Sequence, residues 1–555
     1  MSTPTDHLQN PRTDQELRAL ILGKRGVDTV SEQAFFHPDY ERDLHDPFLF
    51  RDMAKVVERV RLAQSTGETI GVFGDFDADG VTSAVTLCET LEMLGVPSLP
   101  YHPHKVDEGH GLNLKALEFF ADQGIKLVFT LDCGVMNHLE IAAAHVMGLE
   151  VIVIDHHHVP EELPAAFAII NPKDTRDGYP FPELCGAGTT FKLAQALIST
   201  LAPDKIPQLK WLLDIVALGT VADVMPLVGE NRTLVHYGLL VLARTRRPGI
   251  THLVEVGRLA RGGDMAWTAR TIAFQLAPRI NAASRMAHAD TAHAFLRSRD
   301  DAESLILAET LDSYNVERRK ITETVVKLAM TDAAERFSTE PFVFSISPDY
   351  PLGIVGLVAG KMADELGKPV GIFTQGETES TGSFRSILAV HIAEVLEECS
   401  DLLVRHGGHA AAGGCTVLNV NIAELEKRFG EAVRKRLGNA PPQKPLEAEC
   451  VLPLELCNTS TTKLVDSLQP CGEGNPLPQF VVHGTIDSAK QIGKSGEHWK
   501  LKLRDTATDT LIDAVGWSMV KRYPDIRPGQ SLELLVELVH SDWSGQTELR
   551  IIEIL

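Results

Sequence analysis

The chain has 555 residues, 44% of them hydrophobic, and a net charge of −22, which is too long for one core and implies several domains. No apolar run approaches the roughly 18 residues of a membrane span, the polar start Met1 to Gln15 reads as no signal peptide, and eight cysteines without a C-x-x-C pair fit reduced thiols in the cytoplasm rather than a zinc ribbon or a secreted disulfide framework. The negative balance counts against non-specific coating of DNA, yet it leaves room for a nuclease whose positive charge is confined to one channel.

Between residues 50 and 235 strand-like and helix-like stretches alternate. The apolar run Ile70-Gly71-Val72-Phe73 enters the acidic loop Gly74-Asp75-Phe76-Asp77-Ala78-Asp79-Gly80, and a helical pattern, Val81 to Leu94, follows. A second helical stretch, Leu114 to Ala121, precedes the run Leu127 to Leu131, which ends in Asp132; a third run, Val151 to Ile154, ends in Asp155-His156-His157-His158. Such βαβ alternation implies a parallel sheet covered by helices, with its ligand crevice at the carboxyl ends of the strands.

Further on, Leu307, Leu311, Tyr314, Ile321, Val325 and Leu328 recur at three- and four-residue steps and predict a long amphipathic helix able to join two domains. A second α/β unit follows, with strands near Phe342 to Ile346 and Pro369 to Phe373, and it closes on the Gly-rich Arg405 to Gly414. The stretch Leu437 to Pro445 reads as a linker, because its prolines fix φ and remove donors. Beyond it, Val481 to Ile486, Trp499 to Leu503, Leu511 to Trp517, Ser531 to Val539 and Glu548 to Ile554 read as the strands of a small closed barrel of the OB type.

The acids and imidazoles at the three strand ends have no Lys or Arg beside them in sequence, and a divalent-metal site needs such a set. The D-x-D-x-D-G pattern also opens an EF-hand loop, but its twelfth position is Thr86 rather than Glu and a strand precedes it instead of a helix. An N-cap role for Asp79 accounts for one aspartate, not for the set. Asp223, ending the apolar Ala217 to Ala222, is a further candidate, whereas Asp214 reads as a cap or an ion-pair partner. So many ligands exceed one ion's need; two ions sharing Asp132 would use them all, and imidazole beside carboxylate suits Mn²⁺ at least as well as Mg²⁺. No Ser-His or Cys-His pairing and no phosphate loop with lysine competes.

With Asp155-His156-His157 the chain resembles the DHH phosphoesterase superfamily, and within it the branch of single-strand-specific DNA exonucleases. The matching segments run nearly end to end: Arg25-Gly26, Gly74 to Gly80, Asp132-Cys133-Gly134, Cys185-Gly186-Ala187-Gly188, Gly219 to Val224, Pro278 to Ala283, Gly407-Gly408-His409 and Gly472 to Pro476. The resemblance implies an α/β multidomain chain with an N-terminal extension packing on the catalytic core (1–48), a parallel-sheet DHH domain (49–300), a connecting helix (301–338), a DHH-associated domain (339–440) and an OB-like domain (441–555). It implies metal ligation by Asp77, Asp79, Asp132, His156 and Asp223, with Asp75 touching an ion or standing just behind one.

The resemblance further implies catalytic roles for Asp132, for His157 facing the scissile phosphate, and for His409. Lys105, Arg279, Asn281, Arg285, Ser383, Arg385, Gly408 and His409 would bind the strand, with Ser383 and Arg385 on the terminal phosphate or backbone. The implied activity is 5′→3′ hydrolysis of single-stranded DNA to nucleoside monophosphates in repair and recombination. The implied setting is a cytoplasmic monomer that works with a single-strand-binding protein and a helicase.

Four positions depart from the family pattern: Lys105 for arginine, His110 for tyrosine, Ser284 for glycine and Cys471 for phenylalanine. None is a proposed metal ligand; they bear on substrate preference, because lysine loses the bidentate fork of arginine. In the barrel region Trp499, Trp517, Tyr523 and Trp543 are available for stacking, although 9 Lys and Arg face 11 Asp and Glu from Val481 to Leu555. Two other readings stand beside this one: a phosphodiesterase for short RNA or cyclic dinucleotides, and a non-catalytic DHH scaffold in replication.

Overall fold

The structure, a computed structural model, describes residues 8–259, 267–387, 389–437, 446–540 and 545–555. The predicted linker therefore lies outside the described residues except for Leu437, and so does Trp543.

Five parallel strands form the first sheet: β1 (Ile70–Gly74), β2 (Ser98–Tyr101), β3 (Leu127–Leu131), β4 (Glu150–Ile154) and β5 (Ala168–Ile170), in the order β2-β1-β3-β4-β5. Both faces are covered. Val72, Phe129, Leu131, Ile152 and Ile154 point into one core, while their neighbours Phe73, Val128, Val151 and Val153 point into another. This double burial is why β1, β3 and β4 read as continuous apolar runs rather than alternating ones. The parallel register brings the ends of β1, β3 and β4 level, with Gly74 opposite Leu131 and Leu131 opposite Ile154.

The helix Asp301–Arg336 has 36 residues, about 54 Å at 1.5 Å per residue. Its first half buries Ala308 and Leu311 in the core of the parallel-sheet unit; its second half buries Val325, Val326, Ala329 and Ala333 in the core of the next unit. Leu328, expected on the buried stripe, is 53% exposed, and Ala329 takes the inward position instead. One helix thus belongs to two cores.

The second unit is a mixed sheet of β6 (Val343–Ser347), β7 (Val370–Gln375), β8 (Glu379–Arg385), β9 (Leu403–Gly408) and β10 (Ala412–Leu418), ordered β6-β7-β8-β10-β9. The C-terminal strands β11 (Phe480–Ile492), β12 (His498–Arg504), β13 (Leu511–Gly516), β14 (Ser531–His540) and β15 (Thr547–Ile554) close into a barrel. Trp499 is buried there and its indole N–H donates to the Tyr523 carbonyl, so it is core; Trp517 is 57% exposed.

The N-terminal extension departs from expectation. Tyr40 and Leu44 do pack on the catalytic core, but Leu17, Ile21 and Leu22 of the helix Asp14–Lys24 belong to the barrel core. Arg25 reaches the Asn475 amide oxygen and the Pro476 carbonyl, and its guanidinium pairs with Glu449 at 2.7 Å. The Arg25-Gly26 and Gly472 to Pro476 segments therefore meet each other, and the Glu473 carbonyl also accepts from Leu227 N–H of the first unit at 2.7 Å. No helix among the described residues is long and apolar enough to cross a membrane.

Candidate metal centre and substrate cleft

Each acid is placed by the turn that follows its strand or helix. Asp77 is the N-cap of the helix Ala78–Met93, and one of its oxygens accepts from the N–H groups of Asp79 and Gly80. That cap turns Asp79 inward, where it accepts from Gly186 and Ala187 N–H at 2.6 and 2.9 Å, the first residues of the helix Gly186–Leu201. Asp132 leaves β3 at φ +61, a strained setting for a residue with a β-carbon. Asp223 ends the helix Leu213–Ala222. Asp214, as expected, pairs with Arg247 instead, at 3.0 Å.

These side chains converge on one point. His156 Nε2 lies 3.0 Å from Asp132, 3.5 Å from Asp223 and 3.8 Å from Asp79. Three groups can each hold an ion: Asp79, His156 and Asp223; Asp75, Asp77 and Asp132; and Asp132, His156 and His157. The first two divide six side chains without sharing one. Asp132 nevertheless stands between the two groups, because it also approaches His156.

The electrostatics ask for cations. Asp75, Asp79 and Asp132 are each 3% exposed or less, and among the described residues no Lys or Arg pairs with Asp77, Asp79, Asp132 or Asp223. Burial, then the charge of Asp77, pushes Asp79 up to about 6; burial, then Asp79, pushes Asp223 up to about 9. Asp132 is raised well above the carboxylate range by the same causes. Burial drives His156 down to about 3, so its imidazole is neutral with a lone pair to give. Carboxylate oxygens with one neutral imidazole fit Mg²⁺ or Mn²⁺.

Asp155 stands apart. It accepts from Val135, His156 and His157 N–H and from His157 Nδ1. Burial opposes its charge, but these bonds, the His157 ring first, hold it far below the usual carboxylate range. It holds the imidazoles rather than an ion. His110, a departure from the family pattern, brings Nδ1 to 2.9 Å from Asp75, and that carboxylate raises it to about 9.

Cations face the acids across the cleft. Lys105 sits over the Phe76 ring, and burial, then Arg285, pushes it down to about 7 while Asp77 and Asp75 pull the other way. Arg285 donates to the Gly353 carbonyl at 3.2 Å, and burial, then Arg318, lowers it to about 10. From the second unit Arg385 donates to Ser383 Oγ at 2.9 Å and lies within electrostatic reach of Lys105. A β-carbon on Gly356 would come within 3.2 Å of both Arg385 and Ser383. Lys105, Arg285, Ser383 and Arg385 are thus brought together.

Gly408 has φ +154, and a β-carbon there would strike Ala412 O at 2.5 Å, so the β9–β10 turn requires glycine. The turn sets His409 within electrostatic reach of His157 and Lys173. Asn281 accepts from Ala78 N–H at 2.9 Å and so braces the aspartate loop. Arg279, expected on the strand's path, is instead spent on Asp312 at 2.8 Å and on the Gln275 carbonyl.

Four further residues belong to the site. Lys173 reaches Asp223, His156 and His409 electrostatically, and Arg318 neighbours Arg285; neither carried a pattern beyond a charged residue in a loop or on a helix. Gly186 and Gly219 let the backbone close on the acids: a β-carbon would lie 2.8 Å from Asp132 Cβ at the first and 2.8 Å from an Asp79 oxygen at the second. Their signal was present, since both lie in segments that resemble the family.

Three family descriptions match the chain: "DHH family, N-terminal domain" over residues 69–220, "DHHA1 domain" over 339–439 and "RecJ OB domain" over 448–553. A single-stranded-DNA-specific exonuclease RecJ from Bacillus subtilis is 33% identical over 96% of this chain, which spans 66% of that protein's length. The protein of the same name from Haemophilus influenzae is 31% identical over 87% of both chains. A crystal structure of RecJ with Mn²⁺ from Thermus thermophilus superposes with a TM-score of 0.81 and 26% identity, over 97% of this chain and 76% of that one.

Proposed function

The chain belongs to the RecJ family of DHH phosphoesterases, and we propose that it is a metal-dependent exonuclease that digests single-stranded DNA from the 5′ end to nucleoside 5′-monophosphates. The observation that carries this is the opposition of a buried acid cluster, able to hold two groups of three ligands, to Lys105, Arg285 and Arg385 across one cleft. Asp75, Asp77 and Asp132 would hold one ion, and Asp79, His156 and Asp223 the other. Bound Mn²⁺ or Mg²⁺ supplies an activated water and neutralises phosphate charge.

The remaining chemistry belongs to side chains. Asp155 fixes the proton on His157 Nδ1 and leaves Nε2 to face a phosphate oxygen. Burial works against charge on His157, yet the Asp155 bond raises its pKa and favours the donating form. Lys105, Arg285, Ser383 and Arg385 would hold the 5′-terminal phosphate beyond the scissile bond. Cleavage of the P–O3′ bond leaves the shortened strand with a new 5′-phosphate, so the same grip serves every cycle. Acids buried this deeply admit one backbone, which favours an unpaired strand.

The strand's other end has a route. A cavity of about 1060 Å³ lies between the catalytic unit and the barrel, lined by Ala222, Val224, Arg270, Phe274 and Arg550 among others. Phe274 is 70% exposed with Arg270 over its ring at 5.3 Å, a pairing suited to stacking a base and steering its phosphate. Eight free, buried cysteines accord with a reducing cytoplasm. A monomer supplied with strands by a helicase, from DNA coated by a single-strand-binding protein, fits an acidic enzyme that captures ends. Digestion of strands labelled at either end, with Mg²⁺ or Mn²⁺, tests the proposal. Mononucleotides should leave the 5′ end and stop with EDTA, Asp132→Ala or His156→Ala; undiminished activity in any of the three sinks it.

A further inference from the structure

We infer that Asp290 is a positioning residue that ties together the two segments carrying Lys105 and Arg285, an inference that rests on the 5′-phosphate reading of those cations. β2 is the edge strand of its sheet, and its pairing ends at Tyr101 opposite Phe73. The chain then runs through His102 to Lys105 with no neighbouring strand to hold it. His102 is the first anchor: its ring is fully buried, with Nδ1 3.0 Å from one Asp290 oxygen. The other oxygen lies 3.1 Å from His288 Nδ1.

Lys105 lies three residues beyond His102, and Arg285 lies three residues before His288. One carboxylate therefore spans the exit of β2 and the joint between the helices Ala277–Met286 and Asp290–Arg297. The ring of His104 stacks on His288 at 5.9 Å, and its Nδ1 is 2.9 Å from Asp107, which closes the same frame from the other side. His293 packs on His102 with ring centroids 5.0 Å apart. The Asp290 side chain is 68% exposed; its partial burial opposes charge, and the bonds from His102 and His288 hold it far below the usual carboxylate range. Release of the carboxylate frees both cations at once. It touches neither the substrate nor the acid cluster.

The test measures kcat and KM on 5′-phosphorylated and 5′-hydroxyl strands, with melting temperature alongside. Asp290→Asn should raise KM for the phosphorylated strand about tenfold with kcat within about twofold, a loss of binding without loss of chemistry. The preference for 5′-phosphate should fall by the same factor, and Asp290→Glu should restore part of it. Asp290→Asn combined with Lys105→Ala should cost less than the two changes separately, because both act on one grip. An unchanged phosphate preference in Asp290→Asn, or an equal fall of kcat on both strands, overturns the inference. His288→Gln gives the same reading from the other side of the carboxylate should Asp290→Asn fold poorly. Lys105→Ala and Arg385→Ala separate the two levels. If they leave the preference intact, the phosphate reading fails and the Asp290 role falls with it. If they abolish it while Asp290→Asn does not, only the positioning role is lost.

Discussion

The Asp155 carboxylate accepts from His157 Nδ1 at 2.8 Å. The first acid of the Asp155-His156-His157 triplet is therefore turned to an imidazole, and among the described residues it belongs to none of the three groups that could hold an ion. The bond keeps a proton on Nδ1 and raises the ring, so both nitrogens of His157 tend to carry hydrogen.

Asp155→Asn should separate ion binding from turnover. The neutral amide removes the carboxylate that raises His157, so the ring loses the protonated form that donates from Nε2 to a phosphate oxygen, while the six candidate ligands stay in place. The expected result is a fall in kcat of about 10²-fold or more with Mn²⁺ binding by calorimetry unchanged. Loss of ion binding in parallel with activity would show that Asp155 is a ligand after all.

The acid cluster should make the metal-free protein sensitive to alkali. Asp79 at about 6 and Asp223 at about 9 both lie above the roughly 3.9 of an unfolded aspartate. A carboxyl raised in the folded state gives stability that is complete below the unfolded value and lost as pH rises through the folded one. Between pH 7 and 9 Asp223 is the group that titrates, and His110, raised to about 9 by Asp75, loses its proton there with the same sign. Lys105, lowered to about 7, works the other way, but it is one group against two. In EDTA the melting temperature should fall over this window. Mg²⁺ takes the place of the protons, so its stabilisation should be larger at pH 9 than at pH 7. A melting temperature that rises over the window without metal would contradict the assignment.

Arg279 and Arg285 should trade places in assays. Arg279 is bonded to Asp312 and a backbone carbonyl, so Arg279→Ala should cost about 2 kcal/mol of stability and leave KM within about twofold. Arg285→Ala should raise KM for a 5′-phosphorylated strand and leave the melting temperature nearly unchanged. Denaturant titration and steady-state kinetics on the pair decide it.

That contrast also shows how far sequence reading reaches. Residues two apart on a helix point about 200° apart, whereas residues four apart share a face. Asn281 and Arg285 thus belong to one side of the helix Ala277–Met286 and Arg279 to the other, a distinction present in the spacing once the helix is drawn. The acids were legible because each ends a buried apolar segment. Lys173 was not, since a lysine two residues past Asn171 has no pattern of its own; it is placed by Asn171, whose amide accepts from Lys173 N–H and donates to the His157 carbonyl. The extension 1–48 was expected on the catalytic core as a whole, but no pattern in it says which core a segment joins, and Leu17, Ile21 and Leu22 of the helix Asp14–Lys24 join the barrel instead.

Lys105 supplies the sharpest pH test. Burial and Arg285 lower it to about 7, so the free enzyme carries the ammonium below that pH and loses it above. Its attraction for a 5′-phosphate should weaken through the same range. A bound phosphate favours the charged form, so the inflection should appear in kcat/KM, which reports the free enzyme, rather than in kcat. Lys105→Arg replaces a titrating ammonium with a guanidinium that stays charged and can form two parallel bonds to phosphate. The variant should show no inflection near pH 7. At pH 8.5 its KM for a phosphorylated strand should be lower than that of the parent by about tenfold, or about 1.4 kcal/mol, with a smaller difference at pH 6. Parallel pH profiles for the two proteins would mean that Lys105 keeps its charge throughout, or that it does not touch the phosphate.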